Sequence, residues 1–231
     1  MGVCTQPPAT ILESGTDEGN FQGVALYYED GELRIVSELQ AGWYRYVSDW
    51  RLDDNGTIKP RFGFAGTRNP MTCKPHRHHV YWRFDFDIEG SGNDVIETRD
   101  RLFPDRPVWR PVVRERSAMR SPVLQLRVKD KTTGRGYRII PGPADGTADP
   151  YGKADLWFLQ YRATELDDGV STVGGTPADT QVQLSKYLND ENLDSADIVL
   201  WYAGHFYHDE HAPSPHHGHI LGPELRPFNW Q

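Results

Sequence analysis

The chain has 231 residues, enough to bury a substantial core in a single all-β domain. Its formal charge is −8, from 25 basic against 33 acidic residues, which argues against a nucleic-acid partner even though residues 101–120 are locally basic. No apolar run nears the ~20 residues of a membrane-crossing helix, and the start lacks a charged segment followed by an apolar one, so no membrane partner and no signal peptide are expected.

Taken in order, residues 1–22 are rich in Pro, Gly, Thr and Glu and read as an irregular arm. From residue 23 to 231 the chain reads as one domain of short strands. Gly23 to Tyr28 and Glu32 to Glu38 flank Glu29-Asp30-Gly31, a hairpin turn. Gly42 to Leu52 is an aromatic strand, ended by the turn Asp53-Asp54-Asn55-Gly56, and Thr57 to Gly66 resumes the pattern. After a loop over 67–75 comes a sharply alternating run, His76 to Glu89, closed by a turn at Gly90 to Asn93. Asp94 to Val113 alternates weakly and carries Pro104, Pro107 and Pro111, which suits an edge or a connection.

Val123 to Lys129 and Gly136 to Ile140 read as strands around a turn at Lys131 to Gly134. Pro141 to Gly152 reads as a loop, Ala154 to Glu165 as a strand of mixed burial, and Asp179 to Leu188 as a helix or loop. Asp197 to Trp201 is a short apolar strand, and Pro213 to Gln231, with four prolines, is expected to run over the surface. Seven tryptophans and 11 tyrosines suit aromatic packing in sheets. Short strands with frequent turns predict an all-β fold, a β-sandwich in one domain.

All nine histidines fall in two clusters, 76, 78 and 79, then 205, 208, 211, 216, 217 and 219. In a strand, residues two apart share a face, so His76 and His78 project side by side and supply half of a metal site. The segregation predicts that two distant strands meet at one metal. His79, His205 and His211 read as ordinary histidines held by a hydrogen bond, and 216–219 as a solvated loop rather than a weak accessory metal patch. Cys4 and Cys73 leave a disulfide, two free thiols, or a ligand role for Cys73 open.

His76, His78, Arg83, Phe84, Asp85, Glu89 and Gly90 together resemble the copper-binding segment of the copper amine oxidases. Tyr44-Arg45-Tyr46 with the turn Asp54 to Ile58 is similar to that family's cofactor strand. Gly136 to Gly142 and Asp155 to Glu165 resemble its middle strands. Asp197 to Trp201, with His208 seven residues past the tryptophan, resembles the strand that brings the third copper histidine, and Pro223 to Trp230 its closing segment.

The resemblance covers most of residues 23–231 and only the back part of a full-length oxidase. It implies copper on His76, His78 and His208, and oxidation of Tyr44 in place to topaquinone, with Tyr46 as the family's second tyrosine. It also implies a small primary amine and O2 as reactants, and a homodimer. A peripheral calcium is implied at Asp85, Phe86, Asp87, Asp197 and Ile198, whose carboxylates and carbonyls suit that ion; hydrogen bonds across strands or pairing with Arg83 would occupy the same acids.

Trp43 and Arg45 depart from the family, which has Asn and an acidic residue there. None of Asp17, Glu18, Glu29 or Asp30, upstream of Tyr44, falls in the motif of the catalytic base, whose loss typically costs ~10²–10⁴-fold. Three readings follow: a quinone-dependent amine oxidase, a mononuclear copper oxidase or hydroxylase without the quinone, and a non-catalytic metal-stabilised binding domain.

Overall fold

Two-residue alternation, cut by residues that accept left-handed backbone, divides the chain into short antiparallel strands. The computed structural model describes residues 24–41, 44–66, 76–100, 108–166, 184–208 and 219–230, with backbone alone at 38–41, 44, 45, 64–66, 76, 100, 208 and 219. The arm at 1–22, both cysteines, and the histidines at 211, 216 and 217 lie outside these residues.

The strands are β1 (Val24–Glu29), β2 (Glu32–Ala41), β3 (Tyr44–Asp53), β4 (Ile58–Gly66), β5 (His76–Phe86), β6 (Asp94–Asp100) and β7 (Arg110–Pro111). They continue as β8 (Arg116–Ala118), β9 (Leu124–Asp130), β10 (Gly136–Ile140), β11 (Leu156–Gln160), β12 (Ile198–His208), β13 (His219–Leu221) and β14 (Glu224–Phe228). The first hairpin turns at Asp30 and Gly31, both at positive φ (52° and 81°), as a two-residue turn matched to strand twist requires.

The larger sheet has ten strands in the order β1-β2-β3-β4-β14-β10-β9-β6-β7, with β13 paired to β4. The smaller sheet has four, β5-β12-β11-β8. The main core draws on both sheets: Trp82, Phe84, Leu200 and Tyr202 from the smaller one, and Ile96, Val128, Ile139 and Leu225 from the larger. Fully burying one such side chain is worth about 1.5–3 kcal/mol. The all-β sandwich expected from the sequence is the observed fold.

Four local expectations change. The C-terminal segment does not simply cross the surface, because β14 lies between β4 and β10, and Leu221 and Leu225 are buried. Its prolines permit this: Pro223 precedes the strand, and Pro227 stands one residue from its end. Of 94–113, β6 is an inner strand, pairing with β9 over seven residues with Val95 and Ile96 buried, while β7, which holds Pro111, is the sheet's edge as expected; all three prolines come after β6. β12 runs on through the histidines to 208, eleven residues in all. Within 179–188 the described part is a single 3-10 turn, Leu184–Tyr187.

Asp145, in the loop before β11, ties the two sheets together. Its buried carboxylate accepts the Gly142 N–H (2.8 Å), the Gly222 N–H (2.7 Å) and the Tyr202 hydroxyl. Gly222 sits at φ 133°, and a Cβ there would lie 1.9 Å from the Pro60 carbonyl oxygen, so only glycine fits this turn. Replacing Asp145 by Ala strands two buried donors, the Gly222 N–H and the Tyr202 hydroxyl, each worth about 1–3 kcal/mol, and the half-buried Gly142 N–H besides. Asp145→Ala should therefore lower the urea midpoint by the equivalent of at least ~3 kcal/mol, and Tyr202→Phe by about 1 kcal/mol.

Candidate functional site: the histidine ladder

β5 and β12 pair over eleven residues, from His76 opposite His208 to Phe86 opposite Ile198. Directly paired residues share a face, so the register sorts the chemistry. Even-numbered positions on both strands belong to the face that packs on the larger sheet, where Trp82, Phe84, Leu200 and Tyr202 are buried and Val80 and Phe206 pack against them. Positions 76, 78 and 208 continue that face at one end of the ladder. The half-buried His78 ring stacks on Phe206, directly across, with centroids 6.2 Å apart and planes 22° apart.

The tyrosines singled out in the sequence lie on β3 of the opposing sheet. Tyr46 packs into the same core, 5.7 Å from Phe62. Position 44 is two residues earlier on that strand and pairs with Ala41 and Gly66.

The other end of the ladder gathers acids. Asp85, Asp87 and Asp197 bring one carboxylate oxygen each to within 4.8 Å of one another. Phe86 and Ile198 form the last pair of the ladder between them. Partial burial, then the charges of Asp85 and Asp87, push the Asp197 carboxyl up, against the pull of Arg83. Arg83 also pairs with Asp85 at 3.3 Å. Nearby Asp94 is buried and accepts the Ile88 N–H, and burial followed by Asp130, Asp87 and Asp197 raises it to about 6.

The outer face of the ladder holds a cluster that sequence reasoning missed. His79 and His205 stand opposite each other, and their Nδ1 atoms approach to 2.7 Å. His205 Nε2 lies 3.1 Å from Asp155 Oδ1, with neither side chain exposed. Burial opposes the Asp155 carboxylate, but the bonds from His205 and the Arg120 N–H, with the Arg120 charge, hold it below the usual range. His79 Nε2 faces Asp149 at 3.8 Å, and its ring stacks on Tyr151. Burial, then His205, lowers His79 to about 4, so it is neutral at pH 7. Only the shared parity of positions 79 and 205, once the register is known, would have exposed this pair.

No protein-family model matches the chain. The fold and the ladder define an all-β sandwich with a histidine pair on one strand and a third histidine paired across from it. The proteins it is similar to are copper amine oxidases. Primary amine oxidase 1 of Arabidopsis thaliana is 22% identical over 271 residues, covering 89% of this chain and 42% of the relative. A copper-containing diamine oxidase of Sus scrofa is 23% identical, covering 91% and 36%.

Among solved structures, a copper-containing benzylamine oxidase from Hansenula polymorpha superposes with a TM-score of 0.67 at 16% identity, over 91% of this chain and 43% of that one. A Pichia pastoris lysyl oxidase gives 0.63 at 18%, over 89% and 37%. The chain thus spans about two-fifths of the length of these relatives. The fold is that of copper amine oxidases, and the likeness in sequence is to the same proteins.

Asp94 gives a pH test of the acidic end. Its folded value near 6 lies above the ordinary 3.8, so ionising it costs stability. That cost is absent below the ordinary value, builds as pH rises through 6, and is complete at pH 7. Asp94→Asn keeps an acceptor for Ile88 and should raise the thermal midpoint by a few degrees, about 2–4 °C, at pH 7, with the gain shrinking towards pH 4.

Proposed function

We propose that this chain is a copper-dependent oxidoreductase of the amine-oxidase type, with His76, His78 and His208 holding one Cu(II). The observation that carries this reading is the β5–β12 register, which pairs His76 with His208 and puts His78 two residues along. Three imidazoles on two adjacent strands form a donor set suited to Cu(II), and the affinity order of divalent ions favours it. Copper held there would supply the activation of O2, and Tyr44, on β3 of the opposing sheet, is the residue read as the precursor of topaquinone. The chain's own residues do the holding. The stack with Phe206 orients the His78 ring, and Tyr46, packed in the core, anchors the strand that carries Tyr44. The substrate class is a small primary amine, with O2 as the second reactant.

Copper-loaded, aerated protein should form a coloured phenylhydrazine adduct, and mass analysis should find it on the peptide containing Tyr44. His78→Ala should abolish both the copper and the adduct. Protein that holds copper with Tyr44 unmodified would overturn the quinone. It would leave a mononuclear copper oxidase, the reading that Trp43 and Arg45 favour. Protein that holds no copper would overturn the whole proposal.

The acidic end of the ladder is read as a calcium site built from the Asp85, Asp87 and Asp197 carboxylates and the Phe86 and Ile198 carbonyls. Calcium that binds only the folded chain stabilises it by about 2.7 kcal/mol at a hundredfold excess over Kd. Calcium should therefore raise the thermal midpoint of the wild type and leave that of Asp197→Asn unmoved; equal shifts in both would contradict the assignment.

A further inference from the structure

The His79–His205 cluster uses none of the residues of the proposed copper position, and it lies on the opposite face of the ladder. We propose that His79 and His205 form a second metal site, for an imidazole-seeking divalent ion of the zinc type, bound through their two Nδ1 atoms.

Three observations converge on this. First, the two Nδ1 atoms point at each other across 2.7 Å. Second, a carboxylate stands behind each ring on its other nitrogen, Asp155 at 3.1 Å from His205 Nε2 and Asp149 at 3.8 Å from His79 Nε2. Metal-bound imidazoles are typically oriented this way, with the second ring N–H given to a carboxylate that fixes the tautomer. Arg77 lies 3.4 Å from Asp149 and Arg120 3.8 Å from Asp155, so both carboxylates are already engaged and act as orienting groups.

Third, the residue packed against both donors is a glycine. A Cβ on Gly152 would lie 3.0 Å from His79 Nδ1 and 3.1 Å from His205 Nδ1. Gly152 does not sit at positive φ, so its backbone does not require glycine; the close approach of the two rings does.

The geometry sets a condition. With Zn–N bonds of about 2.0–2.1 Å, a tetrahedral ion needs its two nitrogens about 3.3 Å apart, so the rings must part by roughly 0.6 Å. The His79 side chain retains 10% exposure, which gives the ion a route in and water for its remaining positions. Without metal, one proton occupies the gap.

The test is equilibrium dialysis of the full chain against zinc, with elemental analysis of wild type, His205→Gln and Gly152→Ala. Wild type should retain one equivalent more than His205→Gln, and Gly152→Ala should bind that equivalent at least tenfold more weakly. The readout is a difference between chains, so zinc held by other histidines cancels, and failure of the copper assignment leaves it intact. Should either variant fail to fold, long-range proton–nitrogen spectra of the wild type decide. Zinc should shift both Nδ1 resonances to metal-bound positions. Equal zinc in wild type and His205→Gln, or Nδ1 resonances unmoved at saturating zinc, would mean a shared proton only and overturn the site.

Discussion

The pairing register of β5 on β12 is the constraint on which the rest of this protein depends. Slipping one strand by a single residue would send every side chain on it to the opposite face. That slip would expose Trp82, Phe84 and Phe86, and separate His76 and His78 from His208. Burial on both faces forbids it. The inner face packs on the ten-stranded sheet, while the outer face has its own cluster, in which Trp157, Val199, Trp201 and Ala203 are buried. The His79–His205 contact spans the same ladder three pairs from its end and pins the register where the histidines lie.

The ladder also separates two kinds of chemistry. Its histidine end offers nitrogen donors, and its other end offers three carboxylates paired, among the described residues, with Arg83. At about 3.4 Å per residue, the ten steps between the first and last of the eleven pairs hold these ends roughly 34 Å apart. An ion at the acidic end therefore acts on the histidine end only by stiffening the strands between them. The proposed calcium site would therefore be structural, whereas the proposed redox chemistry belongs to the histidine end.

Much of this was legible in the sequence because strand parity is a strict rule. His76 and His78, Asp85 and Asp87, and Tyr44 and Tyr46 each sit two apart, and the all-β fold followed from the same alternation. β10 appeared at its observed limits because the turns around it are sharp. What escaped depends on partners distant in sequence. The prolines after residue 212 looked like surface chain, yet β14 fills a gap in the middle of the larger sheet, a place that only tertiary packing assigns. β12 seemed to stop at Trp201, since Gly204 and the histidines lack apolar alternation. Its continuation is set by β5 alongside. His79 and His205 read as unremarkable singly, and acquire meaning only through the register that joins them.

The most direct test of the account is a crystal of copper-loaded protein measured at the copper absorption edge. The account predicts an anomalous peak on the inner face of the β5–β12 ladder, about 2 Å from a nitrogen of each of His76, His78 and His208. An inner face without a peak, or a peak that any of these three imidazoles fails to reach, would contradict it.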